Sequence, residues 1–295
     1  MNAKELITWG TEQLEKETIE DASLDAWYLF EFVSGLTRVD YILKMNEEVD
    51  AEQRKEYEAL IAKRKSHIPL QHLTGVQAFM GYDFFVNEHV LIPRQDTETV
   101  LEEVLNKVKK AETVLDLCTG SGCIGISLAL LGQYKEVFLS DLSNDALLVA
   151  EKNAQTLLGK EKEEMLEHLH IVQGNLFESI PEGSMFDLIV SNPPYIPTSV
   201  CETLMEEVRE HEPRMALDGE EDGLFFYRKI IEEARNYLKQ GGWIFFEIGH
   251  DQGEALRNIF ANYEEYSEVQ IKKDLAGLDR IAFAKYCEKA DTKRA

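Results

Sequence analysis

A chain of 295 residues has room for one large or two modest domains, with interior enough to fold without disulfide or metal staples. Its hydrophobic content of 44% is that of an ordinary globular protein, and a formal net charge of −24 argues against a broad basic footprint for naked nucleic acid. The four cysteines (Cys118, Cys123, Cys201, Cys287) form no Cys-x-x-Cys pair, no apolar run approaches the ~18 residues of a membrane span, and the acidic, amphipathic start is unlike a signal peptide. These features predict a cytoplasmic protein with reduced thiols and no membrane partner.

Residues 1–72 read as a small helical domain. Leu6, Ile7 and Leu14 keep helical spacing, and Leu24, Trp27, Leu29, Phe30, Val33 and Leu36 make a broad apolar face. Asp50 to Ser66 mixes charges densely around Tyr57, Leu60 and Ile61, as an exposed helix does, and a break follows at Ile68-Pro69. Residues 73–95 are a linker in which Phe79, Tyr82, Phe84 and Val86, then Val90, Leu91 and Ile92, predict a β-hairpin around Asn87-Glu88.

Over residues 96–287 strands and helices alternate. A helix from Thr97 to Lys110 is expected to be capped by Asp96 or Thr97 and closed by lysines. Strands are predicted at Thr113–Leu117, Glu136–Ser140, Leu169–Gln173, Phe186–Ser191 and Trp243–Ile248, with helices near 123–131, 144–158, 223–239 and 252–261. The final pieces, Ser267–Lys273 and Arg280–Lys285, are joined by a loop too short for a helix and should pair antiparallel. This pattern predicts an α/β fold with a doubly wound, mainly parallel sheet, whose ligands bind at the carboxyl ends of the strands. Residues 288–295 are expected to form a flexible tail.

Two turns carry chemistry. In the first, Asp116-Leu117-Cys118-Thr119-Gly120-Ser121-Gly122-Cys123-Ile124-Gly125, the three glycines satisfy G-x-G-x-x-G between a strand and a helix, and Asp141 ends the next strand where an acid meets ribose hydroxyls. A nicotinamide fingerprint is one reading. Asp116 lies four residues before the first glycine, where it would face a pyrophosphate badly but could orient a cationic amino group, directly or through water, and this favours S-adenosylmethionine. Asp141 has a plainer alternative as a cap for the helix from Ser143. Asn175 and Leu176, after the third strand, are placed to meet an adenine or simply to turn the chain.

The second turn is Asn192-Pro193-Pro194-Tyr195, closing the apolar strand Phe186 to Ser191. Neither proline can donate a ladder hydrogen bond, so the chain leaves the sheet as a stiff loop, and Asn192 is held to extended backbone by the proline after it. The corner offers a carboxamide oxygen, bare backbone carbonyls and an aromatic face. That set suits a planar amino group on a conjugated carbon, such as an amide or an exocyclic base amine. An ordinary proline-rich turn is the plain alternative. His168 and His170 alternate near a strand with no third ligand in view, so no metal is expected.

Further blocks follow one order along the chain: Leu91-Ile92-Pro93-Arg94-Gln95-Asp96-Thr97-Glu98, the glycine loop, Asn192-Pro193-Pro194-Tyr195-Ile196, Glu212-Pro213-x-x-Ala216-Leu217, Asp222-Gly223-Leu224, Glu247-Ile248-Gly249 and Asp274-Leu275-Ala276-Gly277-x-x-Arg280. Over about residues 70–287 the chain resembles the PrmC/HemK family, protein-glutamine N5-methyltransferases acting on peptide chain release factors. The resemblance implies a seven-stranded Rossmann-like sheet of the class I S-adenosylmethionine-dependent kind, behind an N-terminal substrate-recognition domain. It implies S-adenosyl-L-methionine as cofactor, held by Asp116, Cys118, Thr119, Gly120, Ser121, Gly122, Asp141, Leu142, Asn175, Leu176 and Asn192. Asn192, Pro193, Pro194 and Tyr195 would bind the substrate and carry the reaction, with Arg94 also on the substrate side or in a structural ion pair to Asp96 or Glu98. The partner implied is a class I release factor, methylated on the glutamine of its Gly-Gly-Gln tripeptide by a monomeric enzyme without a stable nucleic-acid partner.

The chain departs from the family at Cys118, usually glycine, at Gln95-Asp96, usually Pro-Glu, and at Asn175, commonly an acid. The acids from Glu206 to Asp222 could attract a basic protein or be solvated, and most read as solvated. A nucleic-acid adenine-N6 methyltransferase would use the same corner but calls for a basic groove and a target-recognition domain. A nicotinamide oxidoreductase has no use for the corner, and a non-catalytic module would not keep every chemically needed position filled.

Overall fold

The computed structural model describes residues 1–287, and the tail expected over residues 288–295 lies outside them. The described residues form two compact units, one of Met1–Val76 with Met205–His211, the other of Gln77–Leu204 with residues 212–287.

The first unit begins with five helices, α1 (Ala3–Glu15), α2 (Ala22–Ser34), α3 (Arg38–Lys44), α4 (Ala51–Arg64) and α5 (Leu70–Thr74). Local chemistry starts three of them. Asn2 and Glu5 form a reciprocal capping box at α1, Thr37 and Asp40 another at α3, and Asp50 accepts from the N–H groups of Glu52 and Gln53 at α4. Leu6, Leu14, Trp27, Leu29, Phe30, Tyr57 and Ile61 make the core. Gly10 leaves room for the Tyr57 ring, whose hydroxyl donates to the Ala26 carbonyl at 3.1 Å. The break expected at Ile68-Pro69 separates α4 from the short α5, of which Pro69 is the N-cap.

The second unit opens with a two-stranded hairpin, β1 (Val76–Phe79) and β2 (Tyr82–Phe85), which turns at Met80-Gly81 and not at Asn87-Glu88. Both turn residues are left-handed, and Glu98 accepts from the Met80 N–H. Next come α6 (Gln95–Lys107), β3 (Lys110–Leu117), α7 (Cys123–Leu131), β4 (Gln133–Asp141), α8 (Asn144–Glu161), β5 (Leu169–Gln173) and β6 (Phe186–Ser191). Two short helices, α9 (Thr198–Cys201) and α10 (Glu206–His211), precede α11 (Phe225–Ala234), β7 (Leu238–Glu247), α12 (Gly253–Ala261), β8 (Tyr266–Lys273) and β9 (Asp279–Tyr286). Helix α10 falls in the first unit, where Glu207 pairs with the buried Arg64, itself paired with Asp25 at 2.7 Å.

The seven-stranded sheet runs β5-β4-β3-β6-β7-β9-β8, with β9 antiparallel to both its neighbours. The two-residue period of the strands divides the core. Val114, Val137, Leu139, Leu188, Val190 and Phe245 face the layer that contains α6, α7 and α8; Leu115, Leu117, Ile189, Ile244 and Phe246 face α11 and α12. Helix α11 stops short of the expected range because β7 begins at Leu238, crossing Gly241-Gly242 before it takes up regular pairing with β6. Helix α6 is capped by neither Asp96 nor Thr97. Asp96 pairs with Arg280 at 3.0 Å, and Thr97 turns inward. The carboxyl ends of five parallel strands therefore meet at one edge of the sheet.

Candidate active site

The glycine loop leaves β3 through three left-handed residues, Cys118 (φ +60°), Gly120 (φ +55°) and Gly122 (φ +80°). Two carboxylates hold the resulting turn. Asp116 Oδ2 accepts from Thr119 Oγ1 at 2.6 Å and from the Gly125 N–H at 2.9 Å, so it caps α7 from the preceding strand, where the N-cap residue Gly122 has no side chain to do so. Asp141 Oδ2 accepts from the Gly120 N–H at 2.9 Å, and its other oxygen from the Ser143 N–H at 2.9 Å. Ser143, not Asp141, caps α8.

Burial raises the Asp116 carboxyl to about 7 despite its two hydrogen bonds, and its Oδ1 is buried without a hydrogen-bond partner. Burial also raises Asp141, against three backbone N–H bonds that favour its charged form. Gly125 permits the close packing of α7 on the sheet, since a Cβ there would strike the Leu139 side chain and press on Asp116. The left-handed backbone at Cys118 accounts for the glycine usual in the resembling family: a side chain there carries a strain of about 1–2 kcal/mol. Burial and the acids beside it push the Cys118 thiol up, so it stays protonated.

The Asn192-Pro193-Pro194-Tyr195 corner lies next to this loop. Leu117 and Ser191 are register partners, and Ser191 Oγ donates to the Leu117 carbonyl at 2.7 Å, pinning the two turns together. Behind the corner, Ile196 and Leu217 exchange backbone contacts through Ile196 N–H to Leu217 O at 3.0 Å and Gly219 N–H to Ile196 O at 2.8 Å. Gln252 Nε2 donates to the Tyr195 carbonyl at 2.9 Å. Gly219 and Gly223 must lack side chains, because a Cβ on Gly219 would sit 2.7 Å from Tyr195 Cα and one on Gly223 would strike the Tyr195 carbonyl.

A cavity of about 430 Å³ opens beside both turns. Of the residues singled out from sequence, Arg94, Cys118, Thr119, Gly120, Ser121, Asp141, Leu142, Asn175, Leu176, Asn192 and Pro194 line it, whereas Asp116, Gly122, Pro193 and Tyr195 do not. Asp116 is wholly enclosed behind the loop. Tyr195 directs its hydroxyl away from solvent to Glu247 Oε1 at 3.2 Å. Asn175 donates to Glu178 at 3.1 Å.

Arg94 pairs with neither Asp96 nor Glu98. Its Nη2 reaches both oxygens of Glu212, at 2.8 and 2.6 Å, and that carboxylate is buried. Few of the acids from Glu206 to Asp222 prove simply solvated: Glu207 holds Arg64, Glu212 holds Arg94, Asp218 accepts from Thr198 and Arg214, and Asp222 from Arg228. His168 and His170 both face Glu136, at 2.9 and 2.7 Å. Glu212, a carboxylate with structural weight, was not assigned from sequence, whereas Glu247-Ile248-Gly249 was expected to end a core strand beside the cofactor with a structural carboxylate, and Glu247 does end β7. A lone acid ending an otherwise apolar strand was the available signal for Glu247.

A parallel sheet with one antiparallel strand inserted beside its edge, a glycine loop after its first strand and a proline corner after its fourth define a methyltransferase of the Rossmann-like class. The same fold occurs in a methyltransferase from Pyrococcus furiosus, at a TM-score of 0.50 and 16% identity over 78% of this chain and 96% of that one. Residues 5–75 match the PrmC N-terminal domain family, and residues 95–211 the methyltransferase small domain family. Release factor glutamine methyltransferases from Geobacter sulfurreducens and Leptospira interrogans are 38% and 39% identical to the chain, over 94% of it in each case and over 94% and 95% of their own lengths. One from Clostridium acetobutylicum is 38% identical over 91% of the chain and 93% of its own. The chain belongs to the release factor glutamine methyltransferase family and is a methyltransferase enzyme.

Proposed function

We propose that this enzyme transfers a methyl group from S-adenosyl-L-methionine to the side-chain amide nitrogen of the glutamine in the Gly-Gly-Gln tripeptide of class I release factors. The observation that carries this reading is the position of Asn192 on the wall of the same cavity as the glycine loop, one bonded step from it through Ser191 and Leu117.

The residues present fit the cofactor. Gly120 and Ser121 line the cavity without bulk that would keep a ligand from the backbone, Asp141 stands at a strand end with lone pairs to spare for ribose hydroxyls, and Leu142 and Leu176 offer apolar faces to an adenine. Asp116 acts from behind, by fixing Thr119 and the start of α7. Bound there, S-adenosylmethionine supplies an electrophilic methyl group on a sulfonium centre. Asn192 Oδ1 and the Pro193 carbonyl accept the two N–H bonds of the substrate amide, which turns its nitrogen toward that methyl and favours pyramidal geometry. Tyr195 packs beside the amide plane. These acceptors need no rearrangement as positive charge develops on the nitrogen, and alignment supplies much of the rest. The N-methylated amide cation gives its proton to water, so no protein base is required.

The helical unit is proposed to recognise the release factor. Among its exposed apolar side chains are Phe32, Val39, Ile42 and Leu43, three of them on α3, which buries none of its residues. Among the described residues no helix is long and apolar enough to cross a membrane, which agrees with a proposed cytoplasmic site of action on the translation machinery. The test is transfer of labelled methyl from S-adenosylmethionine to a purified release factor, to its Gly-Gly-Gln glutamine-to-alanine variant and to duplex DNA. Label on the intact factor alone is the expected result. Label on DNA would replace this reading with an adenine-N6 methyltransferase.

A further inference from the structure

We infer that Glu247 is a positioning residue for the reaction, setting the Tyr195 ring against the substrate amide through a buried hydrogen-bonded relay that starts at Thr97. The inference rests on the function proposed above. Glu247 ends β7 one position after Phe246, the register partner of Ser191, and so lies level with Asn192 at the start of the corner. Its backbone is fixed from α11, since Tyr227 donates its hydroxyl to the Glu247 carbonyl at 2.8 Å. Its carboxylate is almost wholly buried, at 1% residue exposure.

The two carboxylate oxygens have different partners. Thr97 Oγ1 donates to Oε2 at 2.6 Å, and Tyr195 OH donates to Oε1 at 3.2 Å. The charged groups around the relay are Arg280, which also holds Asp96 and Asp274, and those two acids themselves. A fully buried carboxylate in an apolar core is costly unless hydrogen-bonded, and the apolar neighbours of this strand show what the position would otherwise hold. Both Glu247 oxygens already accept from hydroxyl donors and the carboxylate lies behind the Tyr195 ring's far end, so its role is to hold that ring and not to act on substrate as a base. What it does is hold the aromatic side chain of the corner. The prolines fix the backbone before Tyr195, Gln252 fixes its carbonyl, and Glu247 fixes the far end of its ring.

The test compares kcat, the KM for the release factor and the affinity for S-adenosylmethionine in wild type, Glu247→Gln, Tyr195→Phe and the double variant. Tyrosine labelled with 13C at Cζ reports the environment of the Tyr195 hydroxyl independently of turnover. Glutamine matches the shape of Glu247 but turns an NH2 group toward one of the two hydroxyls. The expected result is a loss of kcat of about tenfold in each single variant, with cofactor affinity held within about twofold. The double variant should lose no more than either single one, because both remove the same bond. The Tyr195 resonance should shift in Glu247→Gln.

Wild-type kcat in both single variants, or fully multiplying losses in the double variant, overturns the inference. If Glu247→Gln does not fold, Tyr195→Phe, which keeps the ring and its packing, decides by itself: unchanged kcat overturns the relay. A wild type that fails to methylate the factor overturns the functional reading instead, so the two failures are told apart.

Discussion

The glycine loop and the proline corner follow adjacent strands and touch through one serine hydroxyl, yet they keep their shapes by opposite means. The loop is made of residues with little intrinsic preference, and it is held by hydrogen bonds to two carboxylates, the buried Asp116 and the half-buried Asp141. The corner is stiff by covalent geometry and is wedged against two glycines, Gly219 and Gly223, that leave no space for a methyl group. A turn that shapes itself around a ligand is set by polar contacts, which respond to protonation. A turn that presents fixed acceptors has its backbone set by steric contact, which does not, even where its aromatic side chain is tethered by a carboxylate.

The sharpest way to break that contrast is Asn192→Ala. It should lower kcat by about 100-fold or more while leaving S-adenosylmethionine affinity within a few-fold, measured by turnover and calorimetry. Equal losses in both would mean that the corner and the loop form one indivisible site. Gly219→Ala comes next. The added Cβ meets the backbone of Tyr195, Gly223 and Pro194 at 2.7–2.9 Å, and backbone cannot rotate away, so a cost of about 3 kcal/mol is expected in denaturant unfolding. Gly120→Ala in the loop has nothing within 4 Å of the new atom and carries only the left-handed strain, about 1 kcal/mol. Similar costs for the two would dissolve the distinction.

The third test uses pH. The Asp116 carboxyl is raised from 3.8 to about 7 in the folded protein, so it binds a proton more tightly folded than unfolded. Its contribution is therefore complete below about 4 and is lost as pH rises through about 7. Asp116→Asn keeps an oxygen for Thr119 and Gly125 but does not titrate. The stability of wild type relative to that variant should fall by roughly 2 kcal/mol between pH 5 and pH 7, read from unfolding at each pH. A flat difference would show that Asp116 stays ionised and that the loop is no more pH-sensitive than the corner.

What was legible in the sequence follows the range of the contacts involved. The strands, the glycine loop and the corner are written in consecutive residues, and the seven-stranded sheet with its last two strands paired antiparallel stands as expected. The hairpin was misplaced because its turn puts Met80 in a left-handed conformation that gives no local sign, whereas Asn87-Glu88 makes a turn, with Val90 N–H donating to the Asn87 carbonyl at 3.3 Å, that joins no two strands. Arg94 was matched with acids two and four residues away, and its true partner Glu212 lies 118 residues on. Glu247 takes Thr97 from 150 residues upstream and Tyr195 from 52. Pairings of that length are settled by the strand order and the packing layers, which local periodicity does not encode.

Helix α10 has a consequence for how the gene can be divided. The helical unit is assembled from two separate stretches, 1–76 and 205–211, so a fragment that ends near residue 76 encodes it without Glu207, one of the two acids that hold the buried Arg64. The chain then re-enters the sheet unit at Glu212, the carboxylate that anchors Arg94. The helical unit is therefore stitched into the enzyme and is not a cassette to be exchanged at a single junction; transplanting it onto another methyltransferase would require moving the insert after α9 along with the first 76 residues.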